Sequence, residues 1–303
     1  IDLEGTTLVI NLEPCSHFGK TPPCVDAIIQ KKISRVVIAI TDPNPLIAGK
    51  GIAKLKSAGI KVEVGLMEQE AFQLNRFFIH HITTGMPYVI LKVAQSFDGC
   101  IATSKGESQW ITGEESRRRS HILRTEADAI LIGKQTAFHD NPSLTVRNVK
   151  GRNPKRIILD SKLKLPLSIN AYKNSDKTGI FVLCNTDESL SSKAKSLRDK
   201  GINVIASNTD QKGKIILSQA LKKLYDEHQI ASLLVEGGAS VYSSFLNENL
   251  VQEIHFFISP KIIGNGKHSF DDFAINSLKD AAQFKIISSS QSGDDIHVVA
   301  TKS

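Results

Sequence analysis

Two cysteines, Cys15 and Cys24, stand near the start of the sequence with eight residues between them. Cys15 follows Pro14 at the end of an apolar, β-branched run, residues 6–12. Cys24 follows Pro22-Pro23 where helical apolar spacing begins. A thiol at a helix start is biased toward the thiolate, the form that binds metal. Two thiolates converging from a strand end and a helix start are half of a tetrahedral zinc site, and zinc lowers the pKa of its bound water toward 7. Further on, Leu234-Val235-Glu236-Gly237-Gly238-Ala239 reads as strand, glycine pair and helix. That arrangement leaves backbone amides free at a helix start, a cradle for phosphate, and glycine lets the backbone come close to a ligand. Arg124 and Arg147 offer guanidinium forks that match phosphate oxygens. Lys92, Thr112, Asp140 and Glu236 supply a polar centre in which a carboxylate beside a lysine can move a proton.

These residues need elements to hold them. Residues 6–12 read as a buried strand. Arg35–Ile40 is a second, ended by Asp42-Pro43-Asn44-Pro45, and Lys61–Val64 is a third. Helices are expected over Pro23–Lys31, Gly51–Ser57 and Glu68–Ile82, the last with Ala71, Leu74, Phe78 and Ile82 on one face. Thr84-Gly85-Met86-Pro87 reads as a boundary, giving two domains, 1–84 and 85–303. The second region continues with strands at Tyr88–Ala94, Ala129–Ile132, Arg156–Leu159, Gly179–Leu183, Asn203–Ala206, Ser232–Val235 and Glu253–Ile258. Its helices are expected over 114–125, 190–200, 217–228 and 239–247, and Phe284–Ile287 with Asp295–Ala300 reads as a closing hairpin. Strand–helix alternation of this kind predicts an α/β fold with parallel strands.

Composition narrows the function. A chain of 303 residues fits two domains, and 41% hydrophobic with 23% charged residues excludes disordered or collagen-like material. No apolar run approaches the roughly 20 residues of a membrane helix, and the first residues do not read as a signal peptide. Four cysteines are too few for a disulfide framework, so the expected setting is a reducing cytoplasm. The net charge of +7 is spread along the chain, with its densest cluster at Arg117-Arg118-Arg119 and only 6% aromatic residues. That pattern suits phosphate-bearing small molecules better than nucleic acid. No Gly-x-Gly-x-x-Gly fingerprint supports a Rossmann domain.

The segment from Leu12 to Cys24, with Thr41-Asp42-Pro43-Asn44-Pro45 and Ala48-Gly49-Lys50-Gly51, resembles the deaminase half of the bifunctional riboflavin-biosynthesis deaminase/reductases. Leu91–Gly99, Ser108–Gly113, Asp140–Arg147 and Leu234–Ala239 resemble the reductase half, in the same order. The resemblance covers nearly the whole chain. It implies a cytidine deaminase-like α/β/α remnant followed by a dihydrofolate reductase-like α/β domain, with Zn2+ on Cys15 and Cys24. It implies NADPH against Ala94, Trp110, Thr136, Asp140, Ser161 and the run Gly238, Ala239, Ser240, Val241, Tyr242, Ser243, Ser244. A phosphorylated pyrimidine would contact Ser108, Thr112, Arg124, Leu144, Arg147 and Glu236, with Lys92, Asp140 and Glu236 as catalytic groups. The resemblance also implies a homo-oligomer joined through the reductase domain. The family's third zinc ligand and proton-shuttling glutamate sit in a His-Ala-Glu motif that this sequence lacks, and His17 and Glu13 are poor replacements. With an isoleucine rather than a methionine at position 1, the expectation is an amino-terminally incomplete enzyme with a working reductase and a silent deaminase. No local residue separates NADPH from NADH. Two other readings stay open: a related reductase acting on another pterin or pyrimidine, and a non-catalytic nucleotide-binding protein.

Overall fold

The structure, a computed structural model, describes residues 2–19, 21–45, 47–174, 178–271 and 273–302. The chain divides into two compact units, Ile1–Gly85 and Met86–Ser303. Among the described residues no helix is long and apolar enough to cross a membrane.

The first unit runs β1 (Thr7–Leu12), α1 (Cys24–Gln30), β2 (Arg35–Ile40), α2 (Lys50–Ser57), β3 (Lys61–Val64), α3 (Glu68–Leu74) and α4 (Arg76–Thr84). Its three strands are parallel in the order β1-β2-β3. Strand β2, apolar and buried from Val36 to Ile40, lies in the middle, where both faces are covered and near-continuous hydrophobic sequence is expected. The single helix expected over Glu68–Ile82 is two. At Asn75 (φ −97°, ψ 9°) the side-chain amide donates to the Ala71 carbonyl at 2.8 Å. That local bond competes with the helical ladder and ends the first segment.

The second unit begins with β4 (Tyr88–Ser96), β5 (Cys100–Ala102), α5 (Glu114–Glu126), β6 (Ala129–Gly133), α6 (Lys134–His139), β7 (Lys155–Leu159) and β8 (Ile180–Asn185). It continues with α7 (Ser192–Asp199), β9 (Asn203–Ser207), α8 (Leu217–His228), β10 (Ser232–Val235), α9 (Ala239–Asn247) and β11 (Glu253–Ser259). It closes with β12 (Lys267–His268), β13 (Phe284–Ser292) and β14 (Asp295–Lys302). The short α6 had no apolar periodicity to announce it, and the closing hairpin is longer than its apolar residues suggested.

The main sheet has the order β13-β14-β11-β4-β10-β6-β7-β8-β9. Strands from β11 to β9 are parallel, and the β13–β14 hairpin adds an antiparallel edge. The chain moves outward from β6 to β9, then returns to insert β10 between β4 and β6. Such a reversal opens a crevice at the carboxyl ends of the strands, where α/β sheets bind ligands. Alternate residues Val89, Leu91 and Val93 pack with Leu233, Val235, Tyr242 and Phe245 in one apolar cluster. The intervening positions Ile90, Lys92 and Ala94 therefore face the opposite side.

On that side a chain of polar groups ties α5 to the sheet. Arg119 Nη1 and His297 Nδ1 are 3.2 Å apart, His297 Nε2 and His255 Nδ1 2.9 Å, and His255 Nε2 and Glu253 Oε1 2.6 Å. The Tyr88 hydroxyl donates to Glu253 Oε2 at 2.9 Å. Arginine can only donate, so every direction follows: Arg119 to His297, His297 to His255, His255 to Glu253, with both imidazoles neutral. Burial, aided by the His255 and Arg119 neighbours, lowers the His297 pKa to about 4. The unfolded chain takes up a proton near 6.5, so stability present above that pH falls as pH drops toward 4. We expect the histidine to contribute a loss of about 1–2 kcal/mol between pH 7 and pH 5 in urea unfolding. His297→Phe, which keeps the stack on Phe257 (ring centroids 4.3 Å apart), should shrink that pH difference. An unchanged difference in the variant would show that His297 does not set it.

Candidate active site

The reversal point of the sheet gathers the charged residues. Val235 pairs with Leu91 and Leu131, so Glu236 leaves β10 level with Lys92 of β4. The Glu236 carboxylate is buried, with its side chain 6% exposed. Arg124 of α5 grips it from both sides of the fork, Nε to Oε1 at 2.6 Å and Nη2 to Oε2 at 2.8 Å. Lys92 Nζ lies 3.6 Å from Oε2. Burial pushes the Glu236 carboxyl up, but the Arg124 and Lys92 charges and the Arg124 hydrogen bonds outweigh it and hold the pKa at about 2. Burial likewise works against the Arg124 charge, and Glu236 more than restores it. Neither group can ionise comfortably alone in this setting; together they form a charge-assisted bidentate pair.

Arg124 spends its remaining donor, Nη1, on the Thr145 carbonyl at 2.9 Å. This seats the segment from Asn141 to Arg147, whose backbone enters the left-handed region twice, at Asn141 (φ +41°) and Leu144 (φ +54°). A leucine there is strained unless its surroundings fix it. Leu144 is 2% exposed in an apolar cluster, and Asn141 accepts two hydrogen bonds from Asn170, from its amide and its side chain. At the end of the segment Arg147 is exposed, and no ion pair takes its guanidinium among the described residues.

The turn before α9 has the strand–glycine–helix form expected from the sequence. Gly238 (φ +89°) turns the chain into α9, and no carbonyl accepts from the amides of Ala239 and Ser240 among the described residues. The glycine backbone here packs tightly against the side chains of Val241 and Thr136. A Cβ on Gly133 would lie 2.6 Å from Val241, and one on Gly237 would lie 3.0 Å from Thr136. Gly238, Ser240 and Ser244 reach the surface, whereas Ala239, Val241, Tyr242 and Ser243 face inward. The Tyr242 hydroxyl donates to the Lys92 carbonyl at 2.5 Å, fixing α9 to β4. The glycine-lined turn and its free amides fit a nucleotide phosphate.

The polar centre expected from sequence is only partly assembled. Lys92 meets Glu236, but Asp140, at the end of α6, has Ser108 and His139 as its polar neighbours instead. Its carboxyl is pushed up by crowding protein atoms, against smaller opposing effects of His139 and Ser108, although its surface is exposed. Thr112 is buried, and its carbonyl accepts from Arg117 at 2.8 Å. The Arg117 guanidinium lies 4.6 Å from the centre of the 62% exposed Trp110 ring. Ala94 and Ser161 are half-buried at the carboxyl side of β4 and β7. His121, not singled out by any motif, enters the site from α5. It is 6% exposed, and its Nδ1 accepts the Arg147 amide at 3.2 Å. Its place three residues before Arg124 was the one available signal.

In the first unit Cys15 and Cys24 do come together, with the Cys24 amide donating to Cys15 Sγ at 3.3 Å. The expected thiolate bias at the helix start is reversed. The hydrogen bond to Cys15, then partial burial, then the Cys15 charge push the Cys24 thiol up. Glu13 is buried and fully engaged, accepting from the amides of Asp42 (3.1 Å), Gly49 (2.9 Å) and Ile52 (3.0 Å). It is a structural clamp, not a free proton shuttle, and His17 is exposed. Among the described residues no three His, Cys, Asp or Glu side chains converge on a metal position. Two thiols alone do not fit a four-coordinate zinc ion.

The family described as the RibD C-terminal domain matches residues 87–298. The chain is 45% identical to the riboflavin biosynthesis protein RibD of Aquifex aeolicus over 97% of its own length and 80% of that relative. Among solved structures, it is similar to a diaminohydroxyphosphoribosylaminopyrimidine deaminase/5-amino-6-(5-phosphoribosylamino)uracil reductase from Thermotoga maritima. That match has a TM-score of 0.86 and 36% identity, covering 100% of this chain and 81% of the other. The Acinetobacter baumannii RibD structure gives a TM-score of 0.86 at 34% identity over 99% of this chain and 82% of its own. A glycine-lined phosphate cradle beside a buried carboxylate, on a sheet that matches these relatives along its length, makes the chain a member of the RibD family of riboflavin biosynthesis proteins.

Proposed function

We propose that the second unit reduces the ribosyl chain of 5-amino-6-(5-phosphoribosylamino)uracil to ribityl with NADPH, a step of riboflavin biosynthesis. The observation that carries this reading is Glu236, held ionised between Arg124 and Lys92 beside the free amides that begin α9. Gly238, Ser240 and Ser244 with Thr136 would hold the cofactor, which when bound supplies a hydride to the sugar's first carbon. The exposed Arg147 guanidinium takes the 5′-phosphate, which argues against an unphosphorylated pterin. Opening the sugar ring requires a proton at the ring oxygen. Glu236 cannot supply it, because its pKa of about 2 leaves it a carboxylate. Its task is to hold and orient the Lys92 ammonium, which donates at the ring oxygen. Asp140, whose carboxyl is pushed the other way, is the second group able to carry a proton. For the first unit the described residues give no complete zinc site, so deamination is outside this reading.

Purified chain mixed with NADPH and the ribosylaminouracil phosphate should oxidise NADPH stoichiometrically with ribityl product; a folded chain that leaves NADPH untouched would sink the assignment. Asp140→Asn should lower kcat about 100-fold or more, the lower end of the general acid–base range, with KM for NADPH nearly unchanged. Equal turnover would remove Asp140 from the chemistry. Glu236→Gln leaves the Arg124 charge buried without its partner and should cost about 3 kcal/mol of stability as well as activity. The pair Arg124→Met with Glu236→Leu should recover much of that stability in urea unfolding while remaining inactive. A double variant no more stable than Glu236→Gln would refute the buried-charge account.

A further inference from the structure

His121 sits where four functional charges meet. Burial, then the Arg124, Arg147 and Lys92 charges, lower the pKa of its ring to about 4 against the opposing Glu236 charge. Its tautomer is fixed by geometry. Nδ1 accepts the Arg147 amide at 3.2 Å, so the ring proton is on Nε2. His121 and Arg124 are three residues apart, hence on one face of α5. Together they hold the strained segment 141–147 at two points, Arg124 Nη1 on the Thr145 carbonyl and His121 Nδ1 on the Arg147 amide.

We propose that His121 is a positioning residue for phosphate-bearing substrate: its Nδ1 anchors the Arg147 backbone and so aims the Arg147 guanidinium at the anion, in register with Arg124 and Glu236. The proposal rests on the reductase reading given above. Two features make it more than packing. The anchored Arg147 is exposed, and its guanidinium has neither a hydrogen bond nor an ion pair among the described residues. The anchor acts within a segment whose left-handed Leu144 would relax if released. A buried ring that only filled space would need neither a nitrogen at the δ position nor a neutral state. An imidazolium could not accept the Arg147 amide, so the suppressed protonation and the hydrogen bond support each other.

The test compares three variants chosen by where they place an acceptor. Asparagine puts its Oδ1 near the position of Nδ1. Glutamine moves the amide outward, and phenylalanine keeps the ring but removes both nitrogens. With wild-type chain as reference, His121→Phe and His121→Gln should raise KM for the phosphorylated substrate about tenfold, the loss expected for one hydrogen bond. kcat should change less, and KM for NADPH should not move. His121→Asn should restore KM to within about threefold of wild type. Binding of ribose 5-phosphate, followed by fluorescence of the single tryptophan, Trp110, should weaken in parallel in the Phe and Gln variants. Unchanged KM in His121→Phe, equal damage to kcat and NADPH binding, or failure of asparagine to rescue would each overturn the proposal. If the wild-type chain turns over no substrate, the reductase reading fails on its own. The ribose 5-phosphate series still decides the role of His121, and a wild-type chain that does not bind that sugar phosphate overturns it.

Discussion

The buried pair of Glu236 and Arg124 is the interaction on which the second unit's site depends. A carboxylate and a guanidinium taken out of water cost several kcal/mol each unless every lone pair and proton is answered. Here both fork bonds form, Lys92 adds a second cation, and the last Arg124 donor goes to Thr145. Satisfying that demand ties four separate stretches together: the turn after β10, the middle of β4, the end of α5 and the segment 141–147. The other end of α5 is held independently. Asp295 Oδ2 accepts from the Gly113 amide at 2.7 Å and from Ser116 Oγ at 2.5 Å, so the hairpin β13–β14 caps the helix start. Fixed at both ends, and bridged in the middle by Arg119, α5 presents His121 and Arg124 in one orientation.

The charges in this centre are kept apart by different means. Glu236 stays anionic because two cations outweigh its burial, and His121 stays neutral because burial and the same cations oppose its protonation. Both pKa values are lowered, which leaves the carboxyl charged and the imidazole neutral side by side. The result is a site with three permanent cations, Lys92, Arg124 and Arg147, around one permanent carboxylate.

Much of this was legible in the sequence, for physical reasons that differ by element. The buried parallel strands announced themselves as short apolar runs, and Ser232–Val235 and the helices 217–228 and 239–247 fall where their periodicity put them. Glycines 237 and 238 were legible because few residues tolerate that turn. The rest depends on contacts between distant residues. Nothing local tells that Asn75 will take the Ala71 carbonyl and split a helix. Nothing in the order of motifs says that Asp140 will turn to Ser108 while Lys92 turns to Glu236. His121 was invisible because a histidine on a helix face has no meaning until the segment 141–147 is folded against it. The Cys15–Cys24 meeting was legible from spacing, but the rise in the Cys24 pKa was not, since it comes from the partner thiol rather than from the helix start.

Two buried glutamates show how one residue type is put to opposite uses. Glu13 is answered entirely by neutral amides, those of Asp42, Gly49 and Ile52, and Gly51 is needed beside it because a Cβ there would lie 2.2 Å from the Pro14 carbonyl. Amide dipoles satisfy the carboxylate without leaving mobile charge nearby, so Glu13 can fix the approach of α2 to the end of β1 and do little else. Glu236 is answered by side-chain cations, which can also reach a ligand. The Ala48-Gly49-Lys50-Gly51 motif is therefore a structural signature, explained by the needs of a buried carboxylate. In the Leu234–Ala239 motif the glutamate is neutralised instead by a guanidinium and a lysine, side chains of the kind that can also meet an anionic ligand.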